Sequence, residues 1–527
     1  MWHGTLFVLC LSASRGSKQS MRLLILQTNQ SISKRMKRSW LVLAMLLTAW
    51  SLQAQKNKGY ELKFKVKGVS DTTVFLANYI GEKLYYADTA LANKRGEFVF
   101  TGKEELPTGK YAVVTPGPRY FELFIQEQRF EMETDTSDFV KHMKVKNSPN
   151  NQFLYDYIHF IIERKLENEK LNQSLAQYAS DPDKSSEITG RMVQINEEVM
   201  EYQRNAVKEN PELIAAKSLM LSIPVKVPDP PVREDGKIDS LFQYRYYVNH
   251  FFDHADLNDP AMTRLPEFQR KLDEFFNKSI IQIPDTINKY GDWLLGEVKD
   301  TPELFKYVLQ FITYNFETSQ IMGMDAVFLH MAENYYQTGK AYWADSTMMA
   351  KINERVDRIK PTMIGNIAPP LTLADTSQEA WINMHETPQR YTILYFYDPD
   401  CGHCKKKTPT LVEKFKEHKN KGVQIFAVSG DSDEGWLKFI REKGLNEEGI
   451  FNVAAPQEVY GNSKFATQLI LDGKTDYKSL NYRTQYDVFT TPKIFLLDEE
   501  KKIVAKQVGI EQVFDIISDI ERRRKKS

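Results

Sequence analysis

The chain has 527 residues, 42% of them hydrophobic, and its Lys+Arg and Asp+Glu totals are both 70. That length exceeds one ordinary core and predicts roughly two to four domains, with enough apolar residues to fill them. Balanced charge offers no bulk attraction to nucleic acid or to an anionic membrane surface, so neither is expected as a partner.

From Met36 the sequence reads MKRSWLVLAMLLTAWSLQAQ, with Lys37 and Arg38 first, an apolar run over residues 41–50, then Ser51-Leu52-Gln53-Ala54. This is the order of a signal peptide's three regions, and the apolar run is short for a bilayer span. Residues 36–54 are therefore expected to be a cleaved signal peptide, leaving no transmembrane anchor in the mature chain. Residues 1–35 fit that plan poorly, because Leu6-Phe7-Val8-Leu9 follows no Lys or Arg, and they read as an over-long gene start. The bulky Leu9 disfavours lipidation of Cys10. Export implies the periplasm or cell envelope, an oxidising compartment.

Residues 55–147 alternate apolar and polar positions in short runs, such as Tyr60, Leu62, Phe64 and Val66, separated by turn formers such as Asn93-Lys94-Arg95-Gly96. This predicts an antiparallel β domain resembling a small sandwich. Near Asn147-Ser148-Pro149-Asn150 the period changes to helical spacing, with Phe153, Leu154, Tyr157, Ile158 and Ile161. Residues 148–361 are read as a helical domain, with helix starts at Asn210-Pro211-Glu212 and Thr301-Pro302-Glu303. Two aromatic stripes lie within it: Tyr244, Tyr246, Tyr247, Phe251 and Phe252, then Tyr335, Tyr336 and Tyr342. Core packing is the preferred reading over a client groove. His250 and His254, four apart on a predicted helix, are read as solvated or capping residues in preference to metal ligands.

Residues 362–527 alternate strand and helix, as in an α/β domain. The run 391–397 (YTILYFY) predicts a buried central strand, followed by Cys401-Gly402-His403-Cys404, helix 405–418, strand 423–429, helix 434–443, strand 493–497 and a helix at 512–522. The chain has three cysteines, and Cys10 precedes the signal peptide, so the mature protein keeps this pair. Two thiols at the start of a helix can close and reopen a small disulfide ring. The unpaired N–H groups of a helix start lower a thiol pKa, which makes Cys401 the expected nucleophile. Zinc needs four ligands and there is no second cysteine pair, so no metal is expected. Haem attachment would need His where Lys405 stands.

Strand, CxxC and helix together resemble the thioredoxin fold. Pro409 matches the proline that kinks the active-site helix, Thr491-Pro492 looks like the cis-proline turn that faces the disulfide, and Gly509 matches a glycine after the last hairpin strand. Gly365-Asn366-Ile367-Ala368-Pro369, Val428-Ser429-Gly430-Asp431 and an insertion at 441–485 make the domain similar to TlpA-type periplasmic disulfide reductases. The β-plus-helical extension resembles that of envelope thioredoxin-like proteins carrying domains of unknown function. The resemblance implies catalysis by Cys401 and Cys404, redox tuning by Gly402 and His403, and substrate binding by Thr491 and Pro492. It implies no cofactor beyond the Cys401–Cys404 disulfide. It also implies disulfide-bearing envelope proteins as substrates and a membrane or periplasmic thiol as electron donor. His403 stands between the cysteines as in protein disulfide isomerases. Lys405, Lys406 and Lys407 oppose Asp398 and Asp400 in sign, so an intermediate potential is expected, with reduction, isomerisation and oxidation all open. One departure stands out: the position beneath the disulfide where many thioredoxins bury an acid holds Tyr395, leaving deprotonation of Cys404 to a nearby carboxylate or water. The alternative reading is a client-binding or scaffold protein in which the thioredoxin domain mainly supplies docking.

Overall fold

The computed structural model of the protein describes residues 59–117, 119–232 and 236–526. The readings of the signal peptide, the leading extension and Cys10 lie outside the described residues. An amino-terminal β domain is followed by a helical region and a carboxy-terminal α/β domain. The chain divides into two units between Leu219 and Met220.

In the first unit, two four-stranded sheets are ordered β4-β1-β7-β8 and β3-β2-β5-β6, with β5 at Gly109–Thr115 and β8 at Lys144–Lys146. Alternation builds them: in β1 (Tyr60–Lys67), Leu62, Phe64 and Val66 are buried while Lys63, Lys65 and Lys67 lie on the other face. The buried side chains meet Val74 and Leu76 of β2 (Thr72–Ile80), Phe98 and Phe100 of β4 (Glu97–Gly102), Leu123 of β6 (Arg119–Ile125) and Phe130 of β7 (Arg129–Asp135) in one core shared by both sheets. The Phe64 and Phe98 rings stack at 5.3 Å. The sheets are antiparallel except that β1 and β7 run parallel, with Glu61 opposite Arg129 and ion-paired to it at 3.1 Å. Strand β3 (Lys83–Ala92) escaped the sequence reading because it is an edge strand whose Tyr85, Tyr86 and Leu91 are all exposed, which erases the alternation.

The change of period at residue 147 marks a true helix start. Ser148 caps α1 (Pro149–Gln177), accepting from the Asn151 N–H at 3.3 Å. Asn151, fully buried, also satisfies both backbone groups of Phe124 on edge strand β6, at 2.7 and 2.9 Å. Helix α2 (Pro182–Glu209) packs on α1. The Asn210-Pro211-Glu212 signal misleads: Asn210 is the C-cap of α2, and the next helix begins at Ile214. Its first N–H groups are satisfied from a distance, by Gln126 to Ile214 N and Asn150 to Ala215 N, both at 3.0 Å. No local signal was needed there.

In the second unit Thr301-Pro302 does open a helix, α3 (Pro302–Glu317), followed by α4 (Asp325–Met331) and α5 (Ser346–Ile359). The α/β domain carries a seven-stranded sheet, ordered β10-β9-β13-β12-β11-β14-β15, with β9 at Thr372–Ala374, β10 at Trp381–Asn383 and β15 at Ile503–Lys506. Central β11 (Tyr391–Tyr397) is buried along its length, parallel to β12 (Val423–Ser429) and antiparallel to β14 (Lys493–Leu497). Its odd residues, Ile393, Tyr395 and Tyr397, face α6 (Gly402–His418), α7 (Glu434–Lys443) and α8 (Ile510–Arg524), while Leu394 and Phe396 face the opposite core. The insertion at 441–485 contains a further strand of the sheet, β13 (Ile450–Ala454). Among the described residues no helix is long and apolar enough to cross a membrane.

Candidate active site

Cys401 is the N-cap of α6, and Cys404 lies one turn inside it. The chain turns after β11 because Asp398 Oδ1 accepts from the Asp400 N–H at 2.8 Å and the Asp398 carbonyl accepts from the Cys401 N–H at 3.1 Å. Lys405 N–H closes the first helical turn on the Cys401 carbonyl at 3.0 Å. The N–H groups ahead of it are left for the Cys401 sulfur. Both cysteines are free thiols, Cys401 partly exposed and Cys404 buried.

The second wall comes from ninety residues further on. The Thr491–Pro492 peptide is cis, and the Thr491 carbonyl accepts from Cys401 Sγ–H at 3.3 Å. Thr491 and Pro492 are half-buried at the rim of the site.

The two thiols are driven apart in acidity. Burial alone would push Cys401 up, but hydrogen bonding from the Cys404 backbone, the Thr491 and Cys404 side chains and the His403 backbone outweighs it and lowers the thiol below its ordinary value. Burial dominates at Cys404 and pushes it up to about 11. The partly exposed sulfur is the more acidic of the two, and the buried one holds its proton more tightly.

Tyr395 stands beneath Cys404, fully buried. Thr408 Oγ1 spends its single proton on the Cys404 carbonyl at 2.8 Å, so in the 2.8 Å contact between the two hydroxyls Tyr395 is the donor. The lone pairs of the phenol oxygen are then free to face Cys404, whose thiol raises the phenol further after burial has already raised it. The Tyr395 ring stacks on Tyr397 at 5.3 Å, and Tyr397 in turn accepts from Trp436 Nε1 at 2.8 Å. Among the described residues no Asp or Glu is fully buried.

The AhpC/TSA family matches residues 364–506, the segment that contains the whole of this arrangement. The carboxy-terminal domain is thioredoxin-like. A domain of unknown function, DUF4369, matches residues 60–154. The thiol-disulfide oxidoreductase ResA of Bacillus subtilis is 28% identical over 146 residues, covering 28% of this chain and 67% of that protein. The ResA of Bacillus cereus is 26% identical over 147 residues, covering 28% and 70%. Among solved structures, a domain of a possible thiol-disulfide isomerase from Cytophaga hutchinsonii shares 32% identity, covering 32% of this chain and 99% of that one, with a TM-score of 0.25. The named relatives are enzymes of thiol-disulfide chemistry.

The thioredoxin-like domain brings Cys401, Cys404, Thr491 and Pro492 together and sets the other predicted residues around them. Pro409 lies inside α6, where its missing N–H leaves the Lys405 carbonyl without its helical partner. The His403 ring is exposed, and His403 acts on Cys401 through its backbone. Gly402 is exposed, with no atom within 4 Å of where a Cβ would stand. Of the three lysines, Lys405 pairs with Asp400 at 3.3 Å and Lys407 with Glu511 at 3.5 Å, so much of their charge is answered locally. Gly509 is the N-cap of α8, its N–H donating to Gln512 Oε1 at 2.8 Å. Thr408 was missed, although its i+4 spacing from Cys404 is visible in the sequence.

The helical-region candidates sit elsewhere. The helix carrying the first aromatic stripe ends at Asn249, so His250 and His254 share no helical face. His250 contacts Asp253 at 2.6 Å and His254 the Ile223 carbonyl at 3.0 Å. Phe251, Phe252, Tyr335 and Tyr336 are buried, whereas Tyr342 is exposed.

Proposed function

We propose that the protein is an exported thiol-disulfide oxidoreductase whose redox centre is Cys401–Cys404, with no other cofactor. The supporting observation is the pairing of an acidified, reachable Cys401 at a helix start with a buried, strongly protonated Cys404 one turn behind it. The Cys401 thiolate attacks one sulfur of a client disulfide, and the client's other sulfur leaves as a thiolate and takes a proton. Cys404 then loses its proton and attacks Cys401 Sγ, expelling the second client thiolate. Two electrons pass to the client, and the protein is left with the Cys401–Cys404 disulfide. A thiol donor of the membrane or periplasm, oxidised in its turn, restores the dithiol.

Thr491 and Pro492 receive the client as an added strand, because the half-buried backbone beside Cys401 is the kind that pairs with an extended peptide. The clients are disulfide-bearing envelope proteins, reached after removal of residues 36–54. Residues 55–147, 148–361 and 362–527 serve as the β, helical and catalytic domains of the mature enzyme. The test is replacement of Cys404 by Ser in the full chain, which is expected to accumulate a mixed disulfide between Cys401 and a client, and to abolish insulin reduction. A wild-type chain that reduces no disulfide, together with a Ser variant that traps none, contradicts the proposal.

A further inference from the structure

The loop that carries Thr491 is held at both ends by one carboxylate. At its start, Asp487 adopts a left-handed backbone with φ +52°, a region that Asp enters more readily than most non-glycine residues. At its end, Lys493 follows Pro492 directly, and its ammonium bonds the Asp487 carbonyl and lies 3.3 Å from Asp487 Oδ2. Both side chains are nearly buried, 15% exposed for Asp487 and 14% for Lys493. The clasp closes a short loop with the Thr491 carbonyl inside it.

The other oxygen of that carboxylate is taken by a residue from outside the thioredoxin-like domain. Arg355, on α5 of the helical region, donates from Nη1 to Asp487 Oδ1 at 2.8 Å, and its Nε lies 3.6 Å from Glu317 of α3. One helical turn on, the Arg358 guanidinium lies over the ring of Phe489 at 4.8 Å, and Phe489 is otherwise 62% exposed on the same loop. Two arginines three apart on one helix thus grip the loop at its first and third residues.

We infer that Arg355 is a positioning residue for the redox site: acting through Asp487, it fixes the loop that sets the Thr491 backbone against Cys401 and against the client. This rests on the oxidoreductase reading above and gives the helical region a part in that reaction. A loop released from α5 keeps its fold through Lys493 but presents the Thr491 backbone less sharply. The cost falls on peptide clients, which use that backbone, and on the acidity of Cys401, which the Thr491 side chain on the same loop helps to lower.

The experiment uses the full chain and its Arg355→Ala, Arg355→Lys, Asp487→Asn and Arg355→Ala/Asp487→Asn variants. Reduction of a disulfide-bearing peptide is measured for KM and kcat, with the pH midpoint of Cys401 alkylation read in parallel. A small aromatic disulfide reports whether each variant still has a working thiol pair. Loss of one charge-assisted hydrogen bond corresponds to about a tenfold rise in peptide KM for Arg355→Ala and for Asp487→Asn. A smaller fall in kcat, an upward move of the Cys401 midpoint and partial rescue by Arg355→Lys are expected with it. The double variant is expected to be no worse than either single one, because the two residues act in series. If Arg355→Ala does not fold, Asp487→Asn and Arg355→Lys carry the test alone. Variants that lower thermal stability while leaving KM and the midpoint at wild-type values overturn the inference. A wild-type chain inactive on both disulfides overturns the oxidoreductase reading instead.

Discussion

Tyr395 puts a phenol where a carboxylate would take the proton of Cys404, and the two groups differ in what they can do. A carboxylate is a base near neutral pH. A phenol pushed up by burial is not, but its hydroxyl can rotate from Thr408 toward sulfur and donate to a forming thiolate. Tyr395→Phe removes that donor without changing the volume of the core. Resolution of the mixed disulfide by Cys404 is expected to slow by about tenfold, while attack by Cys401 keeps its rate, as rapid-quench trapping of the intermediate would report. A variant in which both steps keep their wild-type rates would show that the phenol is only filling space. The CxxC pair and its place at a helix start were legible in the sequence because a buried strand run ends just before it and helical spacing begins just after it. Thr408 and the role of the Tyr395 hydroxyl were not, because they depend on which proton goes where between strand and helix.

At the scale of elements, the strands and helices whose burial is one-sided or complete were the readable ones. Strand β11, helix α7 and strands β12 and β14 fall on the residues that their apolar patterns mark, whereas β3 is an exposed edge and carries no pattern. Helix starts were readable where the cap is local, as at Ser148, and misread at Asn210, where Gln126 and Asn150 cap the next helix across tens of residues. Buried asparagines of this kind hold elements together. Asn151 ties α1 to edge strand β6, so Asn151→Ala leaves the Phe124 N–H and carbonyl buried without partners. A loss of about 2 kcal/mol is expected from the denaturation midpoint of the first unit. A midpoint unchanged from wild type would mean that water replaces the amide.

At the scale of the whole molecule, the thioredoxin-like domain is tied to the helical region of its unit by ion pairs. Lys506 of β15 (Ile503–Lys506), nearly fully buried, pairs with Asp325 of α4, and Arg355 reaches Asp487, contacts that join residues 181 and 132 positions apart. No local pattern marks such pairs, and so the sequence showed where the helical region lies without showing which of its residues reach the thioredoxin-like domain. Lys506→Met leaves the Asp325 carboxylate buried and unpaired, and a loss of about 3–5 kcal/mol is expected in chemical denaturation of the second unit. Adding Asp325→Leu is expected to restore most of it. A single variant as stable as wild type would show that the pair contributes nothing to joining the two parts.

The account turns on the unequal acidity of two sulfurs three residues apart, which iodoacetamide can read directly. Reduced full-length protein is alkylated across a pH series, and each cysteine is quantified separately by mass spectrometry. Cys401 is predicted to react first, with a midpoint below that of an ordinary thiol, and Cys404 to react only as the pH approaches about 11. A Cys401 that reacts no faster than Cys404, or with the midpoint of a free thiol, would contradict the account.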